Sequence, residues 1–389
     1  MNGEISSPTM KISHLILALL LPFLAASQAD KPKNWSLNGY VKNLQTLLFI
    51  EDNYLQDNLI HNRLNFRWFM NEELTFRADL RSRFFWGDLV KVNPLYGSLT
   101  DQASNDWLDL SAVLLDENQL VFHSVLDRFY LEYVKNNWEI RLGRQRVNWG
   151  ISTVWNPNDI FNAFSFTDFD YEERPGSDAV RIKYYTGVAS SIEVVAKGAD
   201  QFEETVIAAK WAFNKWSYDF QFLAGYVMED FAIGTGWAGN IGAAGFKGEA
   251  TYFTPIAEGR TESFALSLGV DYAFTNSYYL NLGYLYNNNG STDAGVGNLF
   301  NFQLSARNLY PYRHALFLQQ SYPLNPLLSA SLAIIYSPVQ VNPLFLNPIL
   351  TFSIKENWDI DAVGQIVFNE DEGYKSPVQA VFLRLKYSF

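Results

Sequence analysis

In Phe264-Ala265-Leu266-Ser267-Leu268-Gly269-Val270-Asp271-Tyr272-Ala273-Phe274 every even position is apolar, and after Thr275-Asn276-Ser277 the run from Tyr278 through Leu280, Leu282 and Tyr284 to Tyr286 repeats the pattern. A period of two marks a β-strand, because successive side chains leave opposite faces of the pleated chain. Two such runs around a short connection predict a hairpin. Each run is about ten residues long, with one nearly continuous apolar face that ends in Tyr or Phe, as a strand crossing hydrocarbon between aromatic girdles requires. The same alternation holds from Leu74 to Phe85, where Leu74, Phe76, Ala78 and Leu80 share one face and Arg77, Asp79, Arg81 and Arg83 the other.

Working outward, short connections are predicted at residues 71–73, 135–137, 186–189, 214–215, 240–242, 275–277, 323–326 and 355–357, with longer polar ones between them. Short turns on one side of a membrane and long loops on the other, with both termini on the short side, predict about eighteen strands. Losing the Gly-rich segment near Gly234 to Gly239 would leave about sixteen. No stretch after Ala29 holds about eighteen consecutive apolar residues, so a spanning helix is excluded, and a closed barrel alone can satisfy every amide in lipid. The fold class is therefore all-β, a transmembrane antiparallel up-and-down β-barrel.

Lys11, the apolar run Leu15 to Ala26 and the small residues Ser27 and Ala29 predict a secretory signal peptide over residues 1–29, leaving residues 30–389 as a single barrel domain. With 29 Lys and Arg against 41 Asp and Glu the net charge is -12, which excludes a nucleic-acid partner for want of a basic footprint. The chain has no cysteine, hence no disulfide framework.

The last strand reads Val381, Leu383, Leu385, Tyr387, Phe389 on one parity. Here the chain resembles bacterial outer-membrane β-barrel porins. The resemblance implies a place in the bacterial outer membrane among its lipids, and recognition of the strand ending at Phe389 by the barrel-assembly machinery.

If the apolar parity faces lipid, the other parity lines the lumen. It brings inward Arg63, Arg67, Arg77, Arg81, Arg83, Arg128, Arg141, Arg181 and Lys183, opposed by Asp79, Glu132 and Glu139. Guanidinium forks suit carboxylate, sulfate or phosphate, so this wall predicts a preference for anions. Inward Phe69, Phe85, Tyr130 and Tyr185 suit sugar rings.

Strict alternation through Leu142-Gly143-Arg144-Gln145-Arg146-Val147-Asn148-Trp149-Gly150 would aim Arg144 and Arg146 at lipid, at a cost of about 2–4 kcal/mol each near the midplane. A bulge at Gly143 is predicted to send Arg144, Arg146 and Asn148 inward, with Val147 and Trp149 facing out. The segment also resembles the GRQ…WG stretch of alginate-export-like porins, which implies that Arg144 lines the pore.

Residues 151–178 form a long connection rich in aromatics and acids, including Trp155, Asp159, Phe166, Asp168 and Asp170. Such a loop beside a basic wall is predicted to fold inward as a constriction. The connections Gly87 to Leu120 and Asn287 to Pro311 are further lid candidates.

No HExxH, GxSxG, phosphate loop or Cys/His metal spacing is present, so no catalytic residue, metal or cofactor is expected. The function that follows is a porin-like channel for diffusion of small anionic or sugar-like solutes. The alternatives are an outer-membrane lipid-hydrolysing enzyme drawing on His61, His123 or His314, and a non-conducting structural or adhesive barrel.

Overall fold

The structure is a computed structural model. It describes residues 34–389 except 105, 118, 164–169, 171–172, 293–301, 303 and 371–372. The predicted signal peptide, Phe166 and Asp168 lie outside the described residues. The barrel unit is Ser36–Phe389, counted apart from Met1–Trp35.

The first part of the chain forms β1 (Trp35–Ile50), β2 (Asn53–Phe69), β3 (Leu74–Gly87), helices α1 (Asp88–Val92) and α2 (Tyr96–Gln102), β4 (Ser111–Glu117), β5 (Leu120–Lys135) and β6 (Trp138–Gln145). The middle gives β7 (Ser177–Gly187), β8 (Ser190–Lys197), β9 (Val206–Lys215), β10 (Tyr218–Val227), β11 (Asp230–Ile241), β12 (Ala244–Pro255) and β13 (Ser263–Ala273). The remainder gives β14 (Tyr279–Asn287), β15 (His314–Asn325), β16 (Leu328–Tyr336), β17 (Leu344–Lys355), β18 (Trp358–Glu370) and β19 (Tyr374–Ser388).

Neighbouring strands pair antiparallel, and β1 closes the ring on β19 from Tyr40 opposite Ser388 to Ile50 opposite Val378. Eighteen strands make the wall. The remaining one, β4, pairs with β5 over Leu120–Val125, while β6 pairs with the same edge over Phe129–Lys135. Thus β4 patches the stretch of wall that β6 leaves empty. Asp178 ties the patch to β7, accepting from the Leu108 amide at 2.7 Å while its own amide donates to Asp106 at 2.8 Å.

Eight short connections fall where the periodicity places them, except that the turn between β9 and β10 is Trp216-Ser217 rather than residues 214–215. The strict alternation of short and long connections fails at the opposite rim. There β1–β2 and β10–β11 are joined by the two-residue turns Glu51-Asp52 and Met228-Glu229. Glu51, Met228 and Glu229 adopt positive φ, the twist that tight hairpin turns need. The Gly-rich strand is present as β11. Among the described residues no helix is long and apolar enough to cross a membrane.

Two apolar clusters lie inside the ring. One gathers Leu285, Phe317, Ile335, Phe345 and Val367 from the wall around Trp155 and Tyr310. The other gathers Val195, Leu223 and Phe253 around Val147, Trp149 and Phe161. Both are built from inward side chains of β7–β18 and from the connections folded against them. Most of the charged inward residues lie along β1–β8, β18 and β19, so the more polar part of the lumen lies on that side, while Lys210, Asp230, Glu249 and Asp271 stand among the apolar clusters' strands.

Candidate functional site

The chain leaves the wall after Gln145 and rejoins it at Ser177. The pairing of β6 with β5 and β7 shows no register shift at Gly143. The break is conformational: Gly143 takes φ +117, and a Cβ there would meet the Phe129 carbonyl oxygen at 2.3 Å, so only glycine fits. Val147 and Trp149 therefore do not face lipid. Trp149 is buried in the lumen, where its Nε1 donates to Glu193 of β8 at 2.8 Å and its ring meets Phe161 edge-on.

The connection is fastened on both sides of the ring. Gln221 of β10 donates to the Trp149 carbonyl at 2.6 Å. On the opposite wall Lys42 of β1 meets Asp170 at 2.6 Å, and Arg384 of β19 reaches the same carboxylate at 3.3 Å. In a ring of eighteen, β1 and β10 are roughly half a circumference apart. The described residues of this connection thus reach opposite sides of the lumen.

The crossing is docked most firmly on β11 and β12. The buried Glu249 carboxylate accepts the amides of Ile151 at 2.5 Å, Ser152, and Asn158 at 3.0 Å. Asn158 donates to the Thr235 carbonyl at 3.0 Å, and Thr251 donates to the Pro157 carbonyl at 2.8 Å. The glycines of β11 now have a reason. A Cβ on Gly234 would meet the Asn158 side chain at 2.6 Å, and one on Gly236 would meet Ile151 at 2.8 Å. Trp155 continues the docking, edge-on to Tyr310 at 5.6 Å and to Phe317 at 6.2 Å between ring centres.

Asp159 is buried within the connection and meets Arg174 at 3.2 Å. Burial pushes its carboxyl up from 3.8 to about 7, against the pull of Arg174 and Arg146. The docked connection therefore holds this proton more tightly than an undocked one. Docking is favoured most below pH 3.8 and weakens as pH rises through about 7. Channel recordings are expected to show more opening events at pH 8 than at pH 5, and Asp159→Asn is expected to flatten that dependence.

The basic wall is paired more fully than its own strands predict. Arg63 is wholly buried and contacts Asp127 and, at 3.1 Å, Asp79. Asp79 also takes Arg77 at 2.6 Å, and Asp127 takes Arg81 at 3.0 Å. Asp127 reaches the lumen because the register slips between Asp79 and Leu80 opposite it, so Asp127 and Arg128 both turn inward. Arg128 donates to the carbonyls of Asp127 at 2.7 Å and Arg174 at 2.5 Å. Arg141 pairs with Glu132 and Glu139. Arg181 pairs with Glu139 and Glu193, and Arg144 with Asp178 at 2.7 Å.

Arg83 donates to Ser104 at 2.8 Å and lies 3.1 Å from His123 Nδ1. Lys183 sits over the Tyr185 ring at 4.6 Å. Arg67 is exposed near the short-turn end of β2. Arg146 is half-buried and has no ion-pair partner among the described residues. Asp127, Asp178 and Glu193 are the acids that a strand-by-strand reading misses. The first hides behind a bulge, and the other two lie on β7 and β8, beyond the strands that carry most of the arginines.

Toward the rim that carries α1 and α2, a cavity of about 460 Å³ is lined by Arg81, Arg83, Phe85, Tyr96, Asp127 and Arg144, among others. Arg81 Nε and Arg144 Nη1 are buried there without a hydrogen-bond partner. Phe85 meets Tyr96 edge-on at 5.3 Å and lies under Arg83. Guanidinium donors and aromatic edges therefore converge on one cavity. Among the described residues no group of three His, Asp or Glu is placed to hold a metal.

No family model and no curated protein matches the chain. Solved structures match it in fold. Pseudomonas aeruginosa OccK5 (OpdH) is 8% identical, over 92% of this chain and 98% of that one, with a TM-score of 0.61. OccK11 (OpdR) of the same organism is 12% identical over 91% and 96% with a TM-score of 0.57. OccD3 (OpdP), also from it, is 9% identical over 91% of each chain at 0.55. The alginate-export-like resemblance of Leu142–Gly150 gains no support from these matches.

Proposed function

We propose that the chain is an outer-membrane channel through which small anionic or sugar-like solutes diffuse along the polar side of the lumen, past the crossing connection. The observation that carries this reading is the cavity where Arg81, Arg83 and Arg144 converge beside the rings of Phe85 and Tyr96. An anion entering there exchanges water for charge-assisted contacts with the guanidinium groups that line it. Fold likeness to OccK and OccD proteins, which are outer-membrane porins, supports the location and the class.

Most lumenal arginines are held by carboxylates, so selectivity is assigned to the arginines that line this cavity rather than to a file of free charges. Passage is diffusive and no covalent step is involved. Outer-membrane lipids surround the wall, and the strand ending at Phe389 is the segment the barrel-assembly machinery would engage.

The reversal potential across a salt gradient tests the reading. The native channel is expected to prefer anions, and Arg81→Gln with Arg144→Gln to lower the anion-to-cation permeability ratio several-fold. A cation preference unchanged by those substitutions would end the anion reading. A silent, sealed barrel would favour a structural or adhesive role, which the tightly filled wall around Lys42, Arg63 and Asp79 would suit.

A further inference from the structure

The cavity at Arg81, Arg83 and Arg144 has a roof. Tyr96, Leu99 and Thr100 of α2, with Ser104 just beyond it, line the side that faces β3. Helix α1 is pinned to β2, where the Gln56 amide donates to Asp88 at 2.9 Å and the Leu89 amide to Asp57 at 3.0 Å. Helix α2 lies against β4, since a Cβ on Gly97 would meet the Asp116 carboxylate at 2.4 Å. A short turn, Asn93-Pro94-Leu95, joins the two helices, so α2 is able to lift while α1 stays.

Arg83 ties α2 to the wall twice. Its Nη2 donates to the Ser104 hydroxyl at 2.8 Å and to His123 Nδ1 at 3.1 Å. A guanidinium only donates, so Nδ1 accepts, the ring is neutral and its proton sits on Nε2. That nitrogen donates to Asp101 of α2 at 3.1 Å, and Ser111 donates to the same carboxylate oxygen at 2.5 Å. Arg83 thus supports α2 directly at Ser104 and, through His123, at Asp101.

The same guanidinium lines the cavity that the proposed function gives to an anion. Arg81 is held there by Asp127 at 3.0 Å and Arg144 by Asp178 at 2.7 Å. The Ser104 hydroxyl and the His123 nitrogen are neutral acceptors, and a hydrogen bond to an ionised acceptor is roughly twice as strong as one to a neutral acceptor. An anion therefore competes well with them for Arg83. We propose that Arg83 is a latch as well as a binding residue: capture of a solute anion by its guanidinium releases Ser104 and His123, and α2 lifts from the cavity. The inference rests on the anion reading of that cavity. By linkage, a change that loosens the latch tightens anion binding.

The chain has no native cysteine, so a disulfide placed between α2 and β4 reports the closed lid. Gly97→Cys with Asp116→Cys brings two thiols within bonding reach, because a Cβ on Gly97 would lie 2.7 Å from Asp116 Cγ. In full-length protein in lipid vesicles, gluconate at constant ionic strength is expected to slow oxidation of that pair several-fold, and neutral sorbitol is expected not to. Adding Ser104→Ala should slow oxidation without solute and lower the half-effective gluconate concentration several-fold. Adding Arg83→Gln should slow oxidation and remove the response to gluconate. If gluconate leaves the oxidation rate unchanged while the reversal potential still shows an anion preference, the latch is wrong and the channel reading stands. If Ser104→Ala slows oxidation without moving the half-effective concentration, Ser104 is structural and the latch is again wrong. If the native channel shows no anion preference and gluconate has no effect, the channel reading itself fails.

Discussion

Glu249→Ala is expected to raise single-channel conductance several-fold and to make the current noisy, because it removes the acceptor that docks the crossing connection. Its carboxylate takes three backbone amides, from Ile151, Ser152 and Asn158, at a site with no exposure to water. A buried donor left without its acceptor costs about 1–3 kcal/mol. Even about 3 kcal/mol in total shifts a docked-to-undocked ratio by roughly two powers of ten. Glu249→Gln keeps one acceptor oxygen, so its conductance should lie between alanine and the native residue. Planar-bilayer recording at constant salt checks both, and unchanged conductance in Glu249→Ala would mean that the connection does not limit flow.

Arg63→Ala should be the most destabilising single change in the polar wall. It strips Asp79 and Asp127 of a shared cation that is itself wholly buried. Breaking a buried ion pair from one side costs about 3–5 kcal/mol, since the surviving charge stays desolvated. Urea unfolding in lipid vesicles, followed by tryptophan fluorescence, should show that loss. Arg63→Met combined with Asp127→Leu should lose less than the sum of the two single changes, because each single change strands the other member of the Arg63–Asp127 pair and the double change strands neither, while Asp79 and Arg81 lose one partner in either case. Additive losses would show that the two side chains act independently.

The wall was legible in the chain because a lipid-facing strand must keep its parity for about ten residues, as Phe264 to Phe274 and Tyr278 to Tyr286 do. What stayed hidden are places where one residue breaks that parity. Leu126-Asp127-Arg128 reads as ordinary alternation until pairing with β3 shows Asp127 to be extra. An unbalanced basic wall then becomes a paired one. At Gly143 to Trp149 a period-two reading carries the strand onward, whereas the chain has already turned into the lumen, where Trp149 finds Glu193.

The glycines of β11 show the converse. Read along the chain they weaken a strand, but in space Gly234 and Gly236 make room for Asn158 and Ile151. That relation spans more than seventy residues, and no local pattern carries it. Phe166 and Asp168 lie outside the described residues, so the crossing is traced through Trp149, Trp155, Asn158, Asp159 and Asp170.

A single-cysteine scan of Leu266 to Asp271 on β13, each position carrying a fluorophore in vesicle-embedded protein, probes both faces of the wall at once. Quenching by spin-labelled lipid should be strong at 266, 268 and 270 and weak at 267, 269 and 271, and quenching by aqueous iodide should run the opposite way. Equal quenching along the strand, or no quenching from lipid at any position, would contradict a membrane-spanning cylinder with a wet interior.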